Sequence, residues 1–307
     1  MALFKKKKES TDLIIRRNSP LVGICSYLLT APGAMLYALE HGKTPIVDLQ
    51  TLPNYYLLPE EVGKVNAWEY FFEQPCGKSL SDADPHAEIL DGMNTVRPDD
   101  HMEFLTNEGL LAFWRDFFKK YIRFQPDAKL FIDTTCDTIF QHADRSRTIG
   151  VLCRGTEYAK MKFHGHPAQP DADEIFRYLD AHSDDWDHVF LATEDLEILE
   201  DFRNRLGDRL LYCEGNRIEK YDTGALADYV RDKKWNLRQL GLDYLAAMYC
   251  LSRCGTMLAG RTSGSVAATL WAEPSQKAIF YNLGRYGMDE TYAEEGRKLL
   301  REQHLRD

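Results

Sequence analysis

Hydrophobic patterning divides the chain into two regimes. From Ile149 onward, short unbroken apolar runs recur at Gly150 to Cys153, Val189 to Ala192, Leu210 to Cys213, Met257 to Ala259 and Ala278 to Tyr281. Runs of this length without polar alternation predict strands covered on both faces, as in parallel sheets. Between them, helical spacing appears near Asp173 to Ala181, Leu196 to Arg205, Leu237 to Leu251 and Ser263 to Trp271. This alternation predicts a doubly wound α/β domain, whose ligands bind beyond the carboxyl ends of the strands.

The first half is less regular. Leu13 to Arg17 and Pro45 to Leu49 read as strands on either side of a helix at about Pro32 to His41, making one β-α-β unit. From Asn54 to Pro98 aromatic and polar residues mix, with turn signals at Pro53, Pro59, Pro75 and Pro85, and no element is predicted. A helix resumes near Thr106, ahead of the apolar positions Leu110, Leu111, Trp114, Phe117, Phe118 and Tyr121. Another is expected from Pro126 to Gln141, and a tail helix near Thr291 to His304. A length of 307 residues suits two domains. We expect residues 1–145 in the first, 146–290 in the second, and a tail over 291–307.

Charge and cysteine content narrow the function classes. A net charge of -10 argues against a nucleic-acid partner, which needs surplus Lys and Arg. Seven scattered cysteines without a C-x-x-C pair read as reduced thiols in a cytoplasm. The uncharged stretch Leu21 to Leu39 approaches bilayer length, but Gly23, Ser26, Pro32 and Gly33 interrupt it. It therefore reads as a buried loop and helix. The run Lys5 to Lys8 reads as a solvated tail, with weak peripheral contact to anionic lipid at the inner membrane face as the alternative.

Three polar clusters follow predicted strands: Arg154-Gly155-Thr156-Glu157, Thr193-Glu194-Asp195, and Gly260-Arg261-Thr262-Ser263-Gly264-Ser265. The last is a strand entering a glycine- and hydroxyl-rich turn that opens a helix, so free N–H groups and a positive dipole end face an anion. A diphosphate fits that description, with Arg154 and Arg261 supplying planar donor forks. The bland alternative is that Thr262 or Ser263 only caps the helix. Two Asp-x-Asp strings, Asp82 to Asp84 and Asp171 to Asp173, could suggest a divalent cation, but neither follows a predicted strand. His164 and His166 have no evident third ligand, so no metal is expected.

Gly150-Val-Leu-Cys-Arg-Gly-Thr-Glu-Tyr158 resembles the first motif of the α1,6-fucosyltransferases, nodulation fucosyltransferases and protein O-fucosyltransferases. Val189 to Asp195 resembles their second motif, and Leu258 to Ser265 occupies the place of their third. Tyr37 to Asp48 and Asn66 to Pro75 are similar to a bacterial polysaccharide-cluster branch of that superfamily. The resemblance implies a GT-B-like α/β fold, two Rossmann-like domains facing a cleft, with the acceptor on the N-terminal side and the nucleotide sugar on the C-terminal side. It also implies an inverting transferase that takes a sugar, L-fucose, from a GDP-sugar to a glycan or lipid-linked glycan hydroxyl. Carried over, Arg154 contacts the diphosphate and assists its departure, and Ser263 matches a diphosphate-binding serine. Glu194 and Asp195 match an acidic pair that serves guanine, ribose or packing, while Arg261, Thr262 and Ser265 complete the donor site.

Three positions depart from the pattern. Gly155 stands where a second arginine is common, Glu157 where an aspartate is usual, and Lys162 where some relatives carry a carboxylate. Glu157, His164 and His166 are the candidate bases. The missing carboxylate keeps open a non-catalytic nucleotide-sugar or glycan-binding protein on the same fold. A phosphoryl-transfer enzyme would be expected to carry a Walker-type loop, which the sequence lacks.

Overall fold

The computed structural model describes residues 10–91, 107–219, 226–281 and 283–288. The chain divides into two compact units, Met1–Ala128 and Lys129–Asp307.

The first unit is built on a parallel sheet in the order β2-β1-β3, with β1 Asp12–Arg16, β2 Thr44–Asp48 and β3 Glu88–Asp91. Helix α1, Ile24–Glu40, makes the crossover between the first two strands. It starts well before the expected Pro32 and holds that proline inside. A proline in mid-helix removes one ladder hydrogen bond. Here the surrounding residues Ile24, Tyr27, Leu28, Ala31, Ala34 and Met35 are all buried, and that burial outweighs the break.

The stretch without periodicity is a clamp on the free edge of β2. Gln74 Oε1 accepts from Val47 N at 2.9 Å, and Asn66 Oδ1 accepts from Leu49 N at 3.0 Å. Both amide nitrogens donate to the Val47 carbonyl. Side-chain amides thus satisfy an edge that would otherwise invite pairing with another strand. Strand β3 went unpredicted because its residues are mostly exposed and carry no apolar run. Helix α2, Glu108–Tyr121, is capped by Asn107, whose side chain accepts from Leu110 N, and it buries Trp114, Phe117 and Phe118.

Helix α3, Pro126–Ile139, contains the division between the units, upstream of the boundary expected at residue 145. The residue just beyond it already packs on the second sheet, with the Phe140 ring 5.8 Å from that of Phe190. That sheet is parallel throughout, in the order β6-β5-β4-β7-β8. Its strands are β4 Thr148–Leu152, β5 His188–Ala192, β6 Leu210–Tyr212, β7 Thr256–Gly260 and β8 Lys277–Tyr281.

The helices between them are α4 Ala172–Ala181, α5 Leu196–Leu206, α6 Leu226–Asp232, α7 Leu237–Leu251 and α8 Ser263–Trp271. Helix α6 was not predicted. Val151, Leu191, Leu258 and Ile279 from four strands join Leu199 and Phe202 of α5 in one core. The chain winds from β4 to one side and then returns to the other, so the switch point lies between the ends of β4 and β7.

The expected α/β class therefore stands. Among the described residues no helix is long and apolar enough to cross a membrane. The lysine run and the tail helix lie outside the described residues.

Candidate active site

Strand register brings the first candidates level with one another. Leu152 pairs with Ala192 on one side and with Ala259 on the other. Arg154, Glu194 and Arg261 each stand two residues further along, so neighbouring strand ends present a cation flanked by an anion and a second cation. Both arginines are buried. Arg154 Nε lies 2.9 Å from Glu194 Oε2, and its Nη1 lies 3.5 Å from the Tyr244 hydroxyl on α7.

The other oxygen of Glu194 accepts from Gly155 N and Thr156 N, both at 3.2 Å, and from Thr156 Oγ1 at 2.8 Å. One carboxylate thus fixes both the guanidinium and the loop that carries it. Burial pushes the Glu194 carboxyl up, but Arg154 and the hydrogen bonds from Thr156 more than offset this, and it is held below the ordinary carboxylate range.

Asp195 turns the other way. It is buried and caps α5, with Oδ1 accepting from Glu197 N at 2.9 Å and from Ile198 N at 3.4 Å. Its second oxygen lies 3.2 Å from Lys160 Nζ. Gly155 packs directly on this cap: a Cβ there would meet Asp195 Oδ2 at 2.4 Å and Ile198 Cδ1 at 2.6 Å. The second arginine of the resembling motif therefore has no room in this chain.

At the β7–α8 junction the hydroxyls divide their work. Thr262 and Ser265 form a capping box: Ser265 N donates to Thr262 Oγ1 at 3.2 Å, and Thr262 N donates to Ser265 Oγ at 2.9 Å. Ser265 is fully buried and its Oγ also lies 2.9 Å from the Gly260 carbonyl. Both side chains thus face the protein, while Ser263, at the first helical position, stays partly exposed. Gly264 lets α7 approach, since a Cβ there would sit 2.3 Å from the Tyr244 hydroxyl. Tyr244 thereby links the Arg154 side of the switch point to the first turn of α8. Sequence spacing gave no sign of it.

Beyond Arg154 the backbone makes a π turn at Glu157–Met161, and the Glu157 side chain lies outside what is described. His164 and His166, both exposed, follow on a strap over residues 162–169. Its base is tied to the switch point, where the buried Gln169 Nε2 donates to the Arg261 carbonyl at 3.4 Å.

On the opposite flank, beyond β6, Arg217 and Asp243 form a second polar cluster that sequence reading also missed. Burial pushes the Arg217 guanidinium down, which Cys213, Glu214, Glu194 and lastly Asp243 partly offset, and pushes the Asp243 carboxyl up, which the Gln239 hydrogen bond and then Arg217 partly offset. Arg217 Nη2 donates to the Cys213 carbonyl at 2.5 Å, and Asp243 Oδ1 accepts from Gln239 Nε2 at 2.8 Å. Asp243 directly precedes Tyr244 on α7.

The Asp-x-Asp strings lie elsewhere. Asp171 and Glu174 form the capping box of α4, and Asp82 and Asp84 precede β3 in the first unit, where Asp82 accepts from Ser79 and Asp84 from His86 N.

No family model matches the sequence, and no curated protein matches it. Solved structures do. Fucosyltransferase NodZ from Bradyrhizobium is 16% identical, over 92% of this chain and 98% of its own, with a TM-score of 0.52. A variant of Arabidopsis thaliana FUT1 in complex with GDP is 12% identical, over 88% of this chain and 70% of its own, with a TM-score of 0.52. POFUT1 in complex with GDP-fucose is 8% identical, over 91% of this chain and 99% of its own, with a TM-score of 0.50. At such identities the likeness defines the fold, and the fold is that of GT-B fucosyltransferases. It agrees with the resemblance read from three short motifs.

Proposed function

We propose that this chain is an inverting, metal-independent glycosyltransferase that moves L-fucose from GDP-fucose to a hydroxyl of a glycan or lipid-linked glycan. The observation that carries the reading is the buried Arg154, locked by Glu194 and Tyr244 at the switch point and level with Arg261 across the sheet. The fold neighbours, two of them solved with GDP or GDP-fucose, support the choice of donor.

In this reading the acceptor oxygen attacks the anomeric carbon as the bond to the diphosphate breaks, and negative charge grows on the departing phosphate. Arg154 donates to that phosphate from a position fixed before reaction, so little reorganisation is needed as charge develops. Arg261, Ser263 and the first-turn N–H groups of α8 hold the remaining oxygens. Glu194 positions Arg154, and Asp195, Thr262 and Ser265 shape the loops beneath the donor.

The base edge of guanine offers adjacent N–H donors, and Asp243 is the carboxylate we assign to accept them. The acceptor proton goes to His166 or Glu157. Cation chemistry is not required, because neither Asp-x-Asp string stands at a strand end of the second sheet, whereas two arginines do. Seven free thiols support a cytoplasmic setting.

The test is release of GDP from GDP-fucose, measured with and without excess EDTA and against UDP-glucose as the wrong donor. We expect GDP-fucose turnover unchanged by chelation and no use of UDP-glucose. Activity lost to EDTA and restored by manganese would refute metal independence, and absence of both GDP-fucose turnover and GDP binding would refute the function.

A further inference from the structure

Donor chemistry does not account for the conformation of the strap between β4 and α4. Lys162 adopts the left-handed region, at φ 46°, which non-glycine residues rarely occupy and which marks stored strain at functional loops. The strap is nonetheless firmly held. Gly165 N donates to the Tyr286 carbonyl at 2.8 Å, Tyr286 N donates to the His166 carbonyl at 3.0 Å, and Ala168 N donates to the Gly284 carbonyl at 2.9 Å. Gly287 packs against it so closely that a Cβ would come within 2.6 Å of the His164 ring.

What this strained, pinned segment displays is an aromatic surface. Phe163, directly after Lys162, is 37% exposed, and its ring centroid lies 5.7 Å from that of the exposed His166. Position decides what such a surface would meet. The Arg217–Asp243 cluster stands on the β6 flank of the sheet, the two arginines stand at the β4–β7 switch point, and the strap is tied to β7 and to the segment after β8. A nucleotide with its base on the β6 flank and its diphosphate at the switch point directs its sugar toward the strap. The next group along that line is the acceptor.

The geometry points to Phe163 as an acceptor platform on the second unit rather than on the N-terminal side that the resemblance implies: the C–H face of a pyranose stacks on its ring, beside His166, so that a hydroxyl is directed toward the donor sugar. This inference rests on the glycosyltransferase reading. A pyranose suits the surface because one of its faces is largely apolar while its rim is hydroxylated, so an aromatic ring removes the former from water and leaves the latter free.

The experiment uses saturation-transfer NMR on the full chain with saturating GDP and a panel of methyl glucopyranoside, galactopyranoside, mannopyranoside and N-acetylglucosaminide, for wild type, Phe163→Ala and Phe163→Trp. GDP affinity is measured by calorimetry in parallel. We expect at least one pyranoside to bind wild type through its ring C–H protons, about tenfold weaker binding in Phe163→Ala, recovery in Phe163→Trp, and GDP affinity unchanged in both. Unchanged glycoside binding in Phe163→Ala, loss of GDP affinity instead, or no saturable pyranoside on wild type would each overturn the platform. So would a Phe163→Ala protein that lost only its capture by phosphatidylglycerol vesicles, since the aromatic would then be a lipid contact. Failure of wild type to bind GDP would remove the underlying reading itself, and calorimetry separates that from failure of the platform alone.

Discussion

Arg154 and Glu194 form one electrostatic unit, and their roles separate under substitution. The guanidinium faces charge that grows as the diphosphate leaves, so Arg154→Ala should lower kcat about 10²-fold or more while weakening GDP binding far less. Arg154→Lys should recover little, because an ammonium cannot form the planar fork. Steady-state kinetics with a thermal melt on both variants decide this, and a well-folded Arg154→Ala with near-normal turnover would remove the residue from the mechanism. Glu194 is predicted to act on stability. Its carboxyl is held below the ordinary range when folded, so its contribution is present above the unfolded value of about 4.3 and is lost as pH falls through the lower folded value. Urea denaturation of wild type and Glu194→Gln should therefore show a wide gap at neutral pH that closes in acid. A gap independent of pH would contradict the assignment. Arg154 was legible because a lone arginine ending a buried strand is conspicuous. The partners were not, since Glu194 could have faced base, ribose or protein, and Tyr244 gains its place only when α7 folds across two loops.

Among the elements, α8 shows why a hydroxyl-rich turn cannot be read one residue at a time. Thr262, Ser263 and Ser265 look equivalent in sequence, yet two of them close a capping box and one stays partly exposed. Ser265→Ala should lower stability by about 1 kcal/mol, the ordinary effect of losing a cap, with at most a small change in GDP affinity. Ser263→Ala should do the reverse. Chemical denaturation and calorimetry on the pair provide the check, and equal effects of both variants on GDP affinity would show that the capping box also serves the ligand. Elements were legible where burial is two-sided, as in β4 and β7, whose boundaries lie within two residues of expectation. They were illegible where tertiary contacts replace periodicity. Strand β3 is an exposed edge, the β2 clamp is made by Asn66 and Gln74, and α1 runs through Pro32 because its surroundings bury it.

At the scale of the whole molecule, the doubly wound second unit was evident from five apolar runs, because a parallel sheet covered on both faces leaves that pattern and few others do. The division inside α3 was not, since a helix that ends on the second core looks the same in sequence as one that ends on the first. With a net charge of -10 the molecule as a whole repels nucleotides, so affinity for a diphosphate must come from the arginines and N–H groups at the switch point rather than from a basic surface. That requirement makes nucleotide choice a sensitive probe. UDP and ADP carry the same diphosphate as GDP and should engage Arg154, Arg261 and α8 equally, leaving any difference to the base and to Asp243. A ligand that binds only the folded state at 100 times its Kd stabilises by about 2.7 kcal/mol. GDP should therefore raise the melting temperature by several degrees, with UDP and ADP well behind at the same concentration. In Asp243→Asn, which keeps the shape but not the accepting carboxylate, the lead of GDP should shrink while its residual shift approaches that of ADP. Equal shifts for all three nucleotides on wild type would sink the guanosine assignment, and an undiminished lead in Asp243→Asn would move base recognition to another residue.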